Sequence, residues 1–459
     1  MHDVIIIGAG LAGLSAAWYL RDKNILVLEN ENRVGGRIRS ENRGHYWLNW
    51  GGHVFAGDNS PTDKLLKSVG VEAKDVPGSL TSLAMNGKIL VEGRVESFLF
   101  RIPMSMRSRV ALAKAGLKVM KSVGKYRETV LRKPHEDYWT YQQRVFNFLN
   151  DRTFTDFVGK LPEDADALFR PTVSRSAGDP EVVSAGAGIG YFNLVLSKGK
   201  TAGLTRNIVG GASVLPETIA NYLGEKVILN AEVLKVYHEE NHVVVEYLRN
   251  GEHVKKKARY VVITTPAPIT HEIGVDLNSE MKQSLKQIVY GPYVSAAFLT
   301  NETDAQIWDP IYAMATPKRS FNVAFHMSNL VRSFEKERQQ GSTLMTFSPA
   351  TLAKRLIDKT DEEILQTYTK DLDDIFPQFS SKIVEAHIQR WPLGLAYCFP
   401  GRAKIQEPLT KPSGSIYLAG DYLGTFYTDT AIETGEIAAT QIMARLNQTQ
   451  NEKQIITLV

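Results

Sequence analysis

The sequence predicts an α/β protein: a parallel-sheet domain assembled from three separated chain segments, joined to an α+β second domain of helix and sheet. Three observations predict it. The chain has 459 residues, more than one hydrophobic core usually serves. Stretches with the character of buried parallel strands run from Asp3 to about Val69, from about Gly210 to Pro268, and from about Ser415 onward. Between them, residues 75–205 and 270–390 carry helical periodicity interrupted by Pro and Gly. The expected division is 1–74, 206–269 and 391–459 for the first domain, and 75–205 with 270–390 for the second.

Each stretch has its own local reason. Val4 to Ile7 is a short apolar run suited to a strand covered on both faces, and Leu14 to Leu20 is helix-forming. Ile25 to Leu28 is a second such strand, closed by Glu29. In the middle stretch, His242 to Tyr247 alternates towards Asn250-Gly251, a pair favoured in tight hairpin turns. Strand-like residues resume at His253, and Tyr260 to Thr265 ends at Pro266.

Composition excludes several classes. Hydrophobic residues make up 43% and charged residues 23%, ordinary for a globular chain, and no apolar run approaches the ~20 residues of a membrane span. With no cleavable signal pattern, the expected address is cytoplasmic. The single cysteine, Cys398, excludes an internal disulfide and a cysteine-based metal site, and no metal is expected. Between Arg101 and Lys133 ten Lys or Arg stand against one acid, Glu128, whereas the rest of the chain is net acidic. A basic excess confined to one segment argues against nucleic acid as a partner. Lys114, Lys118, Lys121 and Lys125 fall on one helical face, with Leu112, Leu117, Val119, Met120 and Val123 expected on the opposite, packed side. Residues 101–133 are thus also the expected place for any peripheral membrane contact.

The chemistry-bearing motif is Gly8-Ala9-Gly10-Leu11-Ala12-Gly13, set between a strand and a helix. Gly8 permits a tight turn, Gly10 lets a pyrophosphate approach the backbone, and Gly13 brings helix and strand close. The helix start, from Leu11 and Ala12, offers backbone N–H groups to phosphate. Glu29, with Asn30 beside it, can accept ribose hydroxyls, and its charge disfavours a 2′-phosphate. Gly35-Gly36-Arg37 follows: Arg37 can neutralise the pyrophosphate, and the glycines admit an isoalloxazine ring.

At this point the sequence resembles the FAD-dependent amine oxidase and protoporphyrinogen oxidase superfamily, whose members carry a GxGxxG…E…GGR arrangement. The resemblance continues through Gly51-Gly52-His53-Val54-Phe55 and through Gly210-Gly211 leading to Leu215-Pro216. It includes Val233, Trp391, Ala419-Gly420-Asp421, and Thr430-Ala431-Ile432 opening the last motif. It implies a Rossmann-type FAD-binding domain, with the Val233 backbone near the adenine, Gly51, Gly52 and His53 facing the flavin, and Asp421 at the ribityl or pyrophosphate region. The last helix would start near Thr430 and point at the flavin N1–C2 edge, stabilising the reduced ring through its dipole. Amine oxidases carry a lysine where this chain has Ser295, which leaves protoporphyrinogen oxidase-like or desaturase-like chemistry open. Pro400 follows Cys398 earlier than in attached-flavin relatives, so FAD is expected to be non-covalent.

The resulting expectation is an FAD-dependent oxidoreductase that takes hydride from a small organic substrate and passes electrons to oxygen or another acceptor. Trp391, Tyr397 and Ser295 are the candidates for groups beside the reacting atoms. The alternatives are a non-redox flavoenzyme such as a sugar mutase, and a non-catalytic FAD-binding protein.

Overall fold

The computed structural model describes residues 1–78, 81–91, 97–196, 204–425 and 427–457. Its first sheet places the strands in the order Val227–Ile228, Ile25–Leu28, His2–Ile7, Glu252–Ile263, His242–Arg249 and Ala231–Glu239. Ile416–Leu418 also pairs with Glu252–Ile263. The strand at His2–Ile7 is flanked in parallel by Ile25–Leu28 and by Glu252–Ile263, with Val4 opposite both Ile25 and Tyr260. Three distant parts of the chain therefore meet in one sheet. They do so because Val4–Ile7, Ile25–Leu28 and Val261–Ile263 are apolar and fully covered, which only a sheet packed on both faces allows.

The expected hairpin forms between His242–Arg249 and Glu252–Ile263. Asn250 and Gly251 have φ of 52° and 80°, the doubly left-handed turn that matches strand twist.

The second sheet runs in the order Ile383–Ala396, Tyr290–Thr300, Thr343–Pro349, Val323–His326, Ala313–Ala315, Ser82–Met85 and Lys88–Leu90. Ile383–Ala396 carries Trp391 as part of this sheet, paired with Tyr293. The helices at Ala267–Ile273 and Ser279–Lys286 instead pack beneath the first sheet through Ala267, Ile273, Met281 and Leu285. A helical cluster (Met106–Thr129, Tyr138–Asn147, Phe154–Val158, Glu163–Ser174 and Ala185–Leu196) has its own core of aromatic and β-branched side chains.

Two local expectations change. The last helix begins at Tyr427, three residues before Thr430. The Met106–Thr129 helix buries Ala115, Val119, Val123 and Tyr126, as an amphipathic helix should. Leu117 and Met120, expected on that packed side, are 72% and 49% exposed. At about 100° per residue they lie well round the helix from Val119 and Val123, so packing on the cluster cannot reach them. No helix among the described residues is long and apolar enough to cross a membrane.

Candidate cofactor and active site

The glycine-rich turn is set by backbone contacts before any side chain contributes. Gly8 takes φ of +98° and donates its N–H to the Leu28 carbonyl at 2.7 Å. A Cβ at Gly13 would stand 1.9 Å from the Gly8 oxygen, so only glycine lets the Leu11–Tyr19 helix start this close to the strand. Gly10 precedes that helix without a side-chain cap, and a Cβ there would meet nothing within 4 Å. The first-turn N–H groups, including those of Leu11 and Ala12, are the ones a helix leaves without intrahelical partners. Thr264 locks the turn by donating to the carbonyls of Ile7 (2.7 Å) and Gly8 (3.1 Å).

Glu29 is 8% exposed and accepts from the backbone N–H groups of Ala9 (2.6 Å) and Glu31 (2.9 Å). Burial pushes its carboxyl above the ordinary range, and the two amides pull it back. The Gly35-Gly36-Arg37 loop lies directly on the turn. Gly35 N–H donates to the Ala9 carbonyl at 2.8 Å, and a Cβ at Gly36 (φ +54°) would stand 3.4 Å from Gly10 Cα.

Arg37 donates both terminal nitrogens to Asp421, at 2.7 and 2.9 Å, and reaches the Gly394 carbonyl at 3.1 Å. Burial acts to lower its guanidinium, but Asp421 outweighs that and the net shift is upward. This fork joins the N-terminal loop to the C-terminal motif across 384 residues of chain. The Arg37 carbonyl in turn accepts from Gly52 N–H at 3.0 Å, and a Cβ at Gly51 would lie 2.1 Å from it. The second glycine pair is thus needed for close packing on the first loop.

These groups surround a cavity of about 1090 Å³. That exceeds the ~300–1,000 Å³ of a single small-molecule site, leaving room for a cofactor and a second molecule. One end is lined by Gly8, Gly10, Leu11, Ala12, Glu29, Asn30 and Val233, and Gly36, Arg37, Gly51, Gly52, His53, Gly420, Asp421 and Ala431 continue along it. Gly13, Thr430 and Ile432 are not among the lining residues; they support it from behind. Ile432 accepts from Ser15 Oγ at 2.7 Å, which ties the last helix to the first. Gly420 N–H donates to Thr434 Oγ1 at 3.0 Å, fixing the loop before Asp421.

At the other end the walls come from the second sheet and the helical cluster. Ser295 and Trp391 are both there, on neighbouring strands. Ser295 Oγ donates to the Trp50 carbonyl at 2.8 Å, and Trp391 Nε1 donates to the same carbonyl and to Ser295 Oγ, each at 3.2 Å. The serine is therefore held in a fixed network and carries no mobile charge.

Tyr397 is not brought to this cavity. It lines an adjoining space of about 40 Å³ with Cys398 and Thr425, which shares Tyr191, Leu194 and Asp421 with the main cavity and has room for water rather than substrate. Burial pushes the Cys398 thiol up to about 11, so it is protonated and a poor nucleophile at neutral pH.

Several lining residues carried no signal in the sequence: Arg39, Arg175, Tyr191, Tyr312, Phe325 and Phe347. Tyr293 joins them and donates its hydroxyl to the Arg175 carbonyl. His53 donates Nδ1–H to the Gly51 carbonyl at 3.0 Å and packs edge-on against Phe325, its ring centroid 4.6 Å away. Burial lowers His53 to about 4, so it is neutral near pH 7.

A nucleotide-type sheet with an uncapped helix start, an acid at the neighbouring strand end and a second sheet closing one long cavity defines a dinucleotide-dependent protein of the two-domain flavoprotein kind. Comparison with known proteins narrows the class. The family model for flavin-containing amine oxidoreductases matches residues 11–443, and the chain belongs to that family.

It is 26% identical to amine oxidase [flavin-containing] A from Equus caballus, over 98% of this chain and 86% of that one. It is 22% identical to 15-cis-phytoene desaturase from Synechococcus elongatus, over 97% of each. Among solved structures, putrescine oxidase bound to putrescine superposes with a TM-score of 0.76 at 18% identity, covering 96% of this chain and 99% of that one. Cyclohexylamine oxidase from Brevibacterium oxydans gives 0.76 at 20%, covering 97% and 99%. The protein is an FAD-dependent oxidoreductase. The residues fit that cofactor: the open space at Gly10, the uncapped helix start and the buried Glu29 lie along one wall of a cavity long enough to continue to Trp391.

Proposed function

We propose that this enzyme oxidises a small, largely apolar substrate that carries no permanent positive charge, transferring hydride from a C–H or N–H bond to the flavin, with oxygen or another acceptor taking the electrons. One observation carries the reading. The substrate end of the cavity is walled by Tyr191, Tyr293, Tyr312, Phe325, Phe347 and Trp391, together with Arg39 and Arg175. None of the described residues that the second sheet or the helical cluster gives to this wall is a carboxylate. Asp421 is committed to Arg37, and Asp429 accepts from Thr62 N–H at 3.2 Å. A cation moved from water into such a wall would lose hydration and meet Arg39 and Arg175 with no carboxylate to pair with, and only the aromatic faces would attract it. A polyene has no such hydration to lose, and a neutral amine loses far less than an ammonium ion.

FAD, when bound, supplies hydride acceptance and electron storage. The chain's residues bind and orient. N–H groups at Gly10, Leu11 and Ala12 would take the pyrophosphate, Glu29 the ribose hydroxyls, and the Val233 backbone the adenine. Arg37 and Asp421 would fix the ribityl region, with Gly51, Gly52 and His53 along the ring. Ala431, backed by Thr430 and Ile432, would place the last helix's positive end at the N1–C2 edge. Trp391 and Ser295 wall the reacting face, and Tyr397 has no contact there. The division into a cofactor domain (1–74, 206–269, 391–459) and a substrate domain (75–205, 270–390) belongs to this proposal, with Trp391 delivered on a strand of the second sheet.

The relatives favour redox chemistry over a mutase, since those named above are oxidases and a desaturase. Between them, the fixed Ser295 and an aromatic wall without a carboxylate lean towards the desaturase-like and protoporphyrinogen oxidase-like branch. The test is a steady-state panel comparing polyenes, neutral cyclic amines and diamines of matched size. Turnover of the apolar compounds with a kcat/KM at least tenfold above any diamine supports the reading; a preference for the diamine overturns it.

A further inference from the structure

The Met106–Thr129 helix has two apolar faces, of which one is packed. The inner face packs Ala115, Val119, Val123 and Tyr126 into the helical cluster. On the outer side Met106, Val110, Leu117 and Met120 are 71%, 50%, 72% and 49% exposed. Their spacing of four, seven and three residues puts them within an arc of about 80°, along about 21 Å of helix at ~1.5 Å per residue. Lys114, Lys121 and Lys125 lie directly beside this stripe on the same wheel, all exposed. Phe100 (78%) and Leu131 (68%) add exposed apolar groups beyond the helix's two ends. The segment from Arg101 to Lys133 carries ten cations against one acid.

We propose that this outer face docks the enzyme on an anionic phospholipid surface, with Leu117, Met120 and their neighbours entering the headgroup boundary and the lysine row meeting lipid phosphates. Contiguous exposed apolar stripes mark an interaction site rather than a solvated face. The alternation with cations selects the partner. A protein partner would match the apolar stripe without needing so large a one-sided charge. Nucleic acid would match the charge and leave four large apolar groups in water. An anionic bilayer interface satisfies both at once. The proposal is independent of which substrate the enzyme oxidises.

The test is flotation of the FAD-loaded enzyme with vesicles of phosphatidylcholine alone or mixed with phosphatidylglycerol, at low and high salt. Binding to the mixed vesicles, weakened by salt, is expected. Replacing Lys114, Lys121 and Lys125 by Ala should weaken partitioning about fivefold for each cation. Leu117→Glu with Met120→Glu should lower it at least tenfold while leaving flavin content and melting temperature unchanged. Failure to bind the mixed vesicles overturns the proposal. So does a Leu117/Met120 variant that binds like the parent, or a duplex DNA that binds in preference to vesicles and is sensitive only to the lysine changes.

Discussion

At the scale of single residues, the tightest constraint lies where a Cβ on Gly13 would meet the Gly8 carbonyl at 1.9 Å, with Thr264 Oγ1 at 2.9 Å. Neither the strand nor the helix can give way without moving the phosphate site. Gly13→Ala is therefore expected to cost ~1–3 kcal/mol, the range of an overpacked core, and to release FAD; a thermal melt and the flavin absorbance of the purified variant check both. The Arg37–Asp421 fork makes a second prediction. Asp421→Asn keeps the shape and removes the charge that holds the guanidinium in place. A charge-assisted hydrogen bond contributes ~1.5–3 kcal/mol, so the FAD dissociation constant should rise roughly 10- to 100-fold, read by flavin fluorescence titration. Gly8, Gly10, Gly13, Glu29 and Arg37 were legible in the sequence because they stand at the fixed spacing of one strand–turn–helix–strand motif and the loop that follows it. Thr264, Arg175 and Tyr312 were not, because their contribution depends on strands that meet only in the folded chain.

At the scale of elements, the same distinction holds. The Asn250-Gly251 hairpin could be read directly, since both residues tolerate positive φ and the flanking alternation is local. The fates of Leu117 and Met120 could not, because helical periodicity shows which residues share a face and not which face finds a partner. The joint between the first and last helices belongs to this scale too. A Cβ at Gly435 would stand 2.3 Å from the Ala12 carbonyl and 3.1 Å from Ala16 N. Gly435→Val should push the two helices apart, lowering the melting temperature and loosening FAD together. A variant that lost stability with full flavin affinity would show that the last helix does not help shape the cradle.

At the scale of the whole molecule, two buried histidines set an acid limit. His53 and His326 are buried and held neutral, burial lowering their pKa values from 6.5 to about 4 and about 3. The folded values lie below the unfolded one, so the unfolded chain takes up protons first as the pH falls. The stability these groups contribute is complete above pH 6.5 and is lost as the pH drops from there through about 4, at ~1.4 kcal/mol per pH unit for each histidine. Denaturant melts between pH 7 and 4 should show this slope, and His326→Gln should reduce it. The sequence could place three separated stretches in one sheet, since their apolar strands demand covering on both faces. It could not reveal that the described residues of the cavity's far wall are aromatic and include no acid, because those side chains come one each from segments far apart in the chain. Function requires that cavity to hold FAD at one end and an oxidisable molecule at the other. The most direct measurement is the flavin absorbance near ~450 nm when FAD-loaded enzyme meets an apolar substrate without oxygen or added reductant. Stoichiometric bleaching, restored by admitting an acceptor, is predicted; a flavin that stays oxidised with every apolar compound and bleaches only with diamines, or with none, would contradict it.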